Sequence, residues 1–145
     1  MKELTLTLDN SVLEQYYEYY FNKYPRRTKK PIKHPYHESI NEWFIMLRPQ
    51  MNALKQAWKD FWIWWIEELG LQNEKYQLFT ITSTVYMPTR RRCDPDNTVI
   101  KFFLDGMVEG GLIEDDGGKH LKALTLKTDY DKENPRTELD FVIFD

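Results

Sequence analysis

A chain of 145 residues and 17.6 kDa, with 41% hydrophobic and 15% aromatic residues, is sized for one folded domain and lies far from the composition of a disordered protein. Its net charge of −3 and pI near 5.7 exclude a protein that coats nucleic acid by bulk electrostatics, and its single cysteine, Cys93, excludes an intramolecular disulfide framework. The most apolar run, FWIWWIEELG, meets two glutamates well short of the ~20 residues that cross a bilayer, and MKELTLTLDN lacks the apolar core of a secretory signal, so the expected compartment is the cytoplasm.

In chain order, ELTLTL (3–8) alternates with the period of a half-buried strand, and VLEQYYEYYFN (12–22) predicts an aromatic helix. The following text, KYPRRTKKPIK, carries Lys23, Arg26, Arg27, Lys29, Lys30 and Lys33 with no acid. Proline punctuates it, which predicts a mobile basic loop ending at Pro35. HPYH places His34 and His37 three apart, but without further ligands at zinc spacing they read as loop residues.

From about His37 to Leu69 the apolar spacing is helical. Trp43, Phe44 and Leu47 form a first piece and Leu54, Trp58, Phe61, Trp65 and Leu69 a second, with a break at Pro49 and a cap at Gly70. WKDFWIWWIEEL holds more large apolar side chains than one helical face, so some must be exposed or meet a partner. YQLFTITSTVYM (76–87) reads as a strand. After it come the loop MPTRRRCDP, a helix from Asp96 to about Glu109, and LIEDD between two glycine pairs. KALTLKTDY and TELDFVIF are the last strands. This order predicts an α+β fold with a mostly antiparallel sheet and helices packed on it.

The charged groups concentrate at the ends of these elements. Asp94 or Asp96 alone would be an ordinary N-cap, Lys101 and Asp105 an ordinary surface pair four apart, and Asp115 with Asp116 a plain turn. One cap does not need two aspartates, however. A helix that packs across the sheet and returns would let Asp94 and Asp96 face Asp115 or Asp116. Carboxylates gathered without clustered Cys or His select a hard ion, Mg²⁺ with Mn²⁺ as a substitute, and such ions act on phosphates. Arginines beside them would grip a phosphodiester backbone.

The ordered set MPTRRRCDPDN, KFFLDGM and GGLIEDD, over about residues 85 to 118, resembles the RusA-like Holliday junction resolvases, small Mg²⁺-dependent endodeoxyribonucleases common in bacteriophages and prophages. The resemblance implies one RusA-like nuclease domain over 1–145. It implies that Asp94, Asp96 and Asp116 are catalytic, metal-binding carboxylates, with Asp115 a further ligand and Lys101 a cationic catalytic residue. Asn97 and Asp105 would support them. Arg90, Arg91 and Arg92 would contact DNA, and the loop residues Arg26, Arg27, Lys29 and Lys30 would replace an N-terminal DNA contact usual in the family.

Lys101 stands five residues after Asp96 where the family spacing is four, a rotation of ~100° on a continuous helix. The expected substrate is a four-way junction cut in pairs during DNA recombination or repair. A homodimer suits its two-fold symmetry, with the tryptophan helix and the sheet edge as candidate interfaces. Two other readings stand beside this one: a branched-DNA-binding protein of the same fold that cuts poorly or not at all, and an interaction protein whose acids are caps and turns.

Overall fold

A computed structural model describes all residues from Met1 to Asp145. The elements follow one another as β1 (Lys2–Asp9), α1 (Asn10–Lys23), α2 (Ile40–Phe44), α3 (Arg48–Glu68), β2 (Phe79–Met87), a 3₁₀ turn (Pro95–Asn97), α4 (Lys101–Glu109), β3 (Leu121–Tyr130) and β4 (Arg136–Ile143). The α+β expectation holds. Four strands form one sheet in the order β1-β4-β2-β3, in which β4 pairs antiparallel with both β1 and β2, and β2 pairs parallel with β3. No helix is long and apolar enough to cross a membrane.

The sheet carries its helices on one face. Alternation puts Phe79, Ile81, Ser83 and Val85 of β2 on the buried side, beside Thr137, Leu139, Phe141 and Ile143 of β4 and Leu6 and Leu8 of β1. The opposite face is polar and open: Thr80, Thr82 and Thr84 stand beside Glu138 and Asp140, and the Thr5 hydroxyl donates to Asp140 at 2.7 Å. β3 is an edge strand with little cover, its Leu124 40% exposed.

α3 and α4 run side by side in the same direction. Ion pairs Lys55–Asp105 (3.9 Å) and Lys59–Glu109 (3.6 Å) tie α3 to α4, and Gly106 lets the backbone of α4 approach so closely that an added Cβ would lie 2.5 Å from Cβ of Trp62. The tryptophan surplus is absorbed within the chain: Trp58, Phe61, Trp62, Trp65 and Ile66 are buried, and Trp64 packs on Tyr16 and Tyr19 of α1 at 5.2 and 5.9 Å between rings. Only Ile63, 38% exposed, is left of the suggested α3 interface. Pro49 enters at the first turn of α3 rather than kinking a longer helix, and Gly70 ends that helix with a φ of 72°, a conformation that a Cβ disfavours.

Two expectations need correction. The helix predicted from Asp96 begins five residues later, at Lys101, because the turn closes early on itself. The Thr98 amide and hydroxyl both donate to the Pro95 carbonyl, at 3.0 and 2.6 Å, and the β-branched run Thr98-Val99-Ile100 stays outside the helix. Residues 98–100 therefore lie between the 3₁₀ turn and α4, so Asp96 and Lys101 are not on one continuous helix. The basic loop is pinned from Ile32 onward: Ile32 and Pro35 are buried, the Tyr17 hydroxyl donates to the Ile32 carbonyl, and Thr137 donates to the Pro35 carbonyl at 2.7 Å.

Candidate nucleic-acid interface

β2 delivers the chain at Met87 into an exposed loop that carries three arginines and two aspartates. Arg90 lays its guanidinium over the ring of Tyr130, the last residue of β3, at 4.2 Å. Arg92 donates through Nε to Asp94 Oδ1 at 3.1 Å, with the two side chains 88% and 53% exposed, an ion pair of little energetic weight. Arg91 projects into solvent. Cys93 is half-buried beneath them. Burial pushes its thiol up, and Asp94 adds to the effect, so it is poorly suited to act as a thiolate.

Asp96 is exposed on the 3₁₀ turn. Asn97 holds that turn in place, its amide donating to the Asp94 carbonyl at 2.9 Å and its side-chain oxygen accepting from the Asn41 amide at 3.3 Å, which docks α2 against the turn. Lys101 opens α4, half-exposed, with Nζ 3.6 Å from Asp105 Oδ1. Asp105 lies between Lys101 and Lys55 with Oδ2 buried and without a hydrogen-bond donor, so it ties α4 to α3 and restrains Lys101.

Asp115 and Asp116 lie elsewhere. Asp115 accepts the Asp116 amide at 2.9 Å in the turn before β3, next to Glu114, whose amide donates to the Tyr76 carbonyl. The parallel register sets Leu121 opposite Phe79 and Tyr130 opposite Met87. The pair Asp115–Asp116 is thus at the start of β2, and Asp94 with Asp96 is beyond its end. A strand from Phe79 to Met87 spans about 26 Å. The expected convergence of the four carboxylates does not occur within one chain, and no group of three or more His, Cys, Asp or Glu side chains is spaced to hold a metal ion. Within one chain these residues do not form a Mg²⁺ site. The physical reason is the connection itself: α4 runs back along β2 and returns the chain to the strand's beginning.

The second basic group belongs to α1 and its aromatic face. Arg27 lies 3.9 Å from the Tyr24 ring centroid and donates to the Tyr20 hydroxyl at 2.9 Å, and Lys30 sits over Tyr17 at 4.9 Å. Arg26 and Lys29 are exposed beside them.

His37 is the residue that the sequence reading missed. It is 6% exposed, accepts the Phe102 amide on Nε2 at 3.1 Å, and pairs through Nδ1 with the Glu38 carbonyl at 2.7 Å. A carbonyl only accepts, so Nδ1 carries the proton and the ring is neutral. Burial is the main cause that lowers its pKa. In effect the ring caps the first turn of α4, the helix that presents Lys101. HPYH gives no periodic signal for this, because the partner is 65 residues away. No protein-family model matches the chain, and no curated protein matches it.

Proposed function

We propose that the chain is a RusA-like endodeoxyribonuclease that binds branched DNA, four-way junctions above all, as a homodimer. The observation that carries the reading is the loop from Arg90 to Asp96, where three arginines and two aspartates share one exposed turn at the end of β2, followed at once by Lys101. In this reading the arginines hold phosphate oxygens through paired N–H donors. Lys101, restrained by Asp105, offsets charge developing on a phosphate in the transition state. Within one chain no step is assigned to a metal.

In this reading the open edge of β3 is the dimer interface. Two copies of β3 paired antiparallel about Thr125 would set Leu124, 40% exposed, against Leu126 of the second copy and cover it. Antiparallel pairing also brings the start of one β3 beside the end of the other. Asp115 and Asp116 of one copy then approach Asp94 and Asp96 of its mate, since the Thr128 hydroxyl donates to the Cys93 carbonyl at 3.1 Å and so ties the loop to the end of β3. Carboxylate oxygens of that kind suit Mg²⁺ or Mn²⁺. A second reading, a branched-DNA-binding protein that does not cut, is favoured by the separation of the acids within one chain.

The test uses a labelled four-way junction and the matching linear duplex with Mg²⁺, with Mn²⁺ and with EDTA. Wild type is expected to make paired symmetric nicks in the junction, abolished by EDTA and by Asp96→Asn or Asp116→Asn alone. Co-expressed Asp96→Asn and Asp116→Asn chains should regain cleavage as single nicks, because a mixed dimer keeps one composite site intact. Cleavage by Asp96→Asn would remove its metal role. Binding without nicks under every condition would select the second reading, and neither binding nor cutting would return the acids to caps and turns.

A further inference from the structure

A cleft of about 250 Å³ lies between α1 and α3, away from the loop just described. Its walls are aromatic and its ends acidic. Tyr19, 41% exposed, stacks on Tyr16 with centroids 6.1 Å apart and leans on Trp64 at 5.9 Å, and Tyr20 packs against Tyr24 at 5.1 Å. Asp60, Glu67 and Glu68 line the same cleft from the α3 side. Asp60 and Glu67 are seven positions apart, which puts both on one face about 10.5 Å apart along the axis. Asp60 is held in place by Gln56, whose Nε2 donates to Oδ1 at 2.9 Å.

The cleft already receives a cation. Nζ of Lys23 lies 5.8 Å from the Tyr19 ring centroid and 5.6 Å from that of Tyr24, and it donates to the Tyr19 hydroxyl at 3.4 Å. Aromatic faces carry negative charge density and attract ammonium groups in this geometry. A single lysine matches the rings but leaves the carboxylate at the far end without its own cation.

We propose that this cleft is a binding site for a linear aliphatic diamine. One ammonium takes the place of the Lys23 head over the tyrosine rings near Asp60, the methylene chain lies on Trp64, and the second ammonium reaches Glu67. Two carboxylates about two helical turns apart with an apolar wall between them match the charge-chain-charge pattern of such a ligand, and Lys23 acts as an internal competitor. The inference is independent of any action on DNA.

Calorimetric titration of the full chain with 1,5-diaminopentane, and with pentylamine as the single-charge control, tests it. Saturable diamine binding about tenfold tighter than that of the monoamine is expected, since a second well-placed ion pair and its aromatic contact contribute on that order. Glu67→Gln should reduce the diamine to the level of the monoamine. Lys23→Ala should tighten diamine binding by removing the competitor, an effect that loss of structure would not produce. Absence of saturable heat with both wild type and Lys23→Ala would overturn the proposal. So would equal binding of the two amines that is indifferent to Glu67→Gln.

Discussion

His37 offers the most direct perturbation of the platform that carries Lys101. His37→Phe keeps a ring of similar size in the same pocket, between Phe102 and Phe103 at 4.9 and 5.4 Å, and removes both nitrogens. The Phe102 amide loses its acceptor in a buried setting, and the Glu38 carbonyl loses its donor. Leaving a buried donor unpaired costs on the order of 2 kcal/mol. With a urea dependence of about 1.5 kcal/mol per M for a chain of this size, the midpoint should fall by roughly 1 M.

The same variant isolates a pH effect whose direction follows from burial. The folded state holds the His37 pKa below its ordinary value of 6.5, so between that value and the folded one the unfolded chain binds more protons. Stability from this group is therefore complete above about pH 6.5 and is lost as pH falls toward the folded pKa. The titratable groups around the ring are Glu38, His34 and Asp105. Urea titrations at pH 7.5 and 5.5 should show wild type losing stability on acidification and His37→Phe losing distinctly less. Equal midpoints at pH 7.5, with the same pH dependence in both proteins, would refute the capping role.

Glycine replacements should rank by what a Cβ meets. Gly111→Ala combines a φ of 84° with a clash against the Gln72 carbonyl oxygen and should be the most damaging, by several kcal/mol in thermal or urea unfolding. Gly106→Ala drives α4 off Trp62 and should cost about 1–3 kcal/mol despite the better helix propensity of alanine, while Gly118→Ala meets nothing within 4 Å and should be near neutral. For DNA, Arg91→Ala should weaken binding to junction and duplex alike. It should lower the slope of log affinity against log salt by about 1 in a fluorescence anisotropy titration, as loss of one phosphate contact requires.

The strands were the most legible part of this chain. ELTLTL alternates strictly and became β1, TELDFVIF became β4, and the tryptophan helix was marked by its periodicity. The start of α4 misled because DPDN carries the residues of a helix N-terminus and the apolar spacing of Val99 and Ile100 continues that of Phe103 and Met107. The competing hydrogen bonds of Thr98 to Pro95 decided otherwise. The separation of the acidic pairs had a signal that composition hides: a nine-residue helix between consecutive strands calls for a parallel crossover, and a parallel crossover puts the ends of its connection at opposite ends of the strands. His37 and the lysine seated among tyrosines depend on contacts that no local pattern encodes.

The sheet order also bears on how the chain reaches its fold. β4, the last of these elements in chain order, is the strand that β1 and β2 both need as a neighbour, with Lys2 opposite Ile143 and Phe79 opposite the same residue from the other side. Helix pairs and the β2-α4-β3 unit can form while synthesis proceeds. β1 cannot find its neighbour until Arg136–Ile143 has emerged. Closing a loop of that length places the N-terminal strand among the last pieces to dock, in a slow, high-contact-order step. Until then the leucines of β1 stay exposed to other chains, which makes the growing polypeptide prone to association while β4 is still missing.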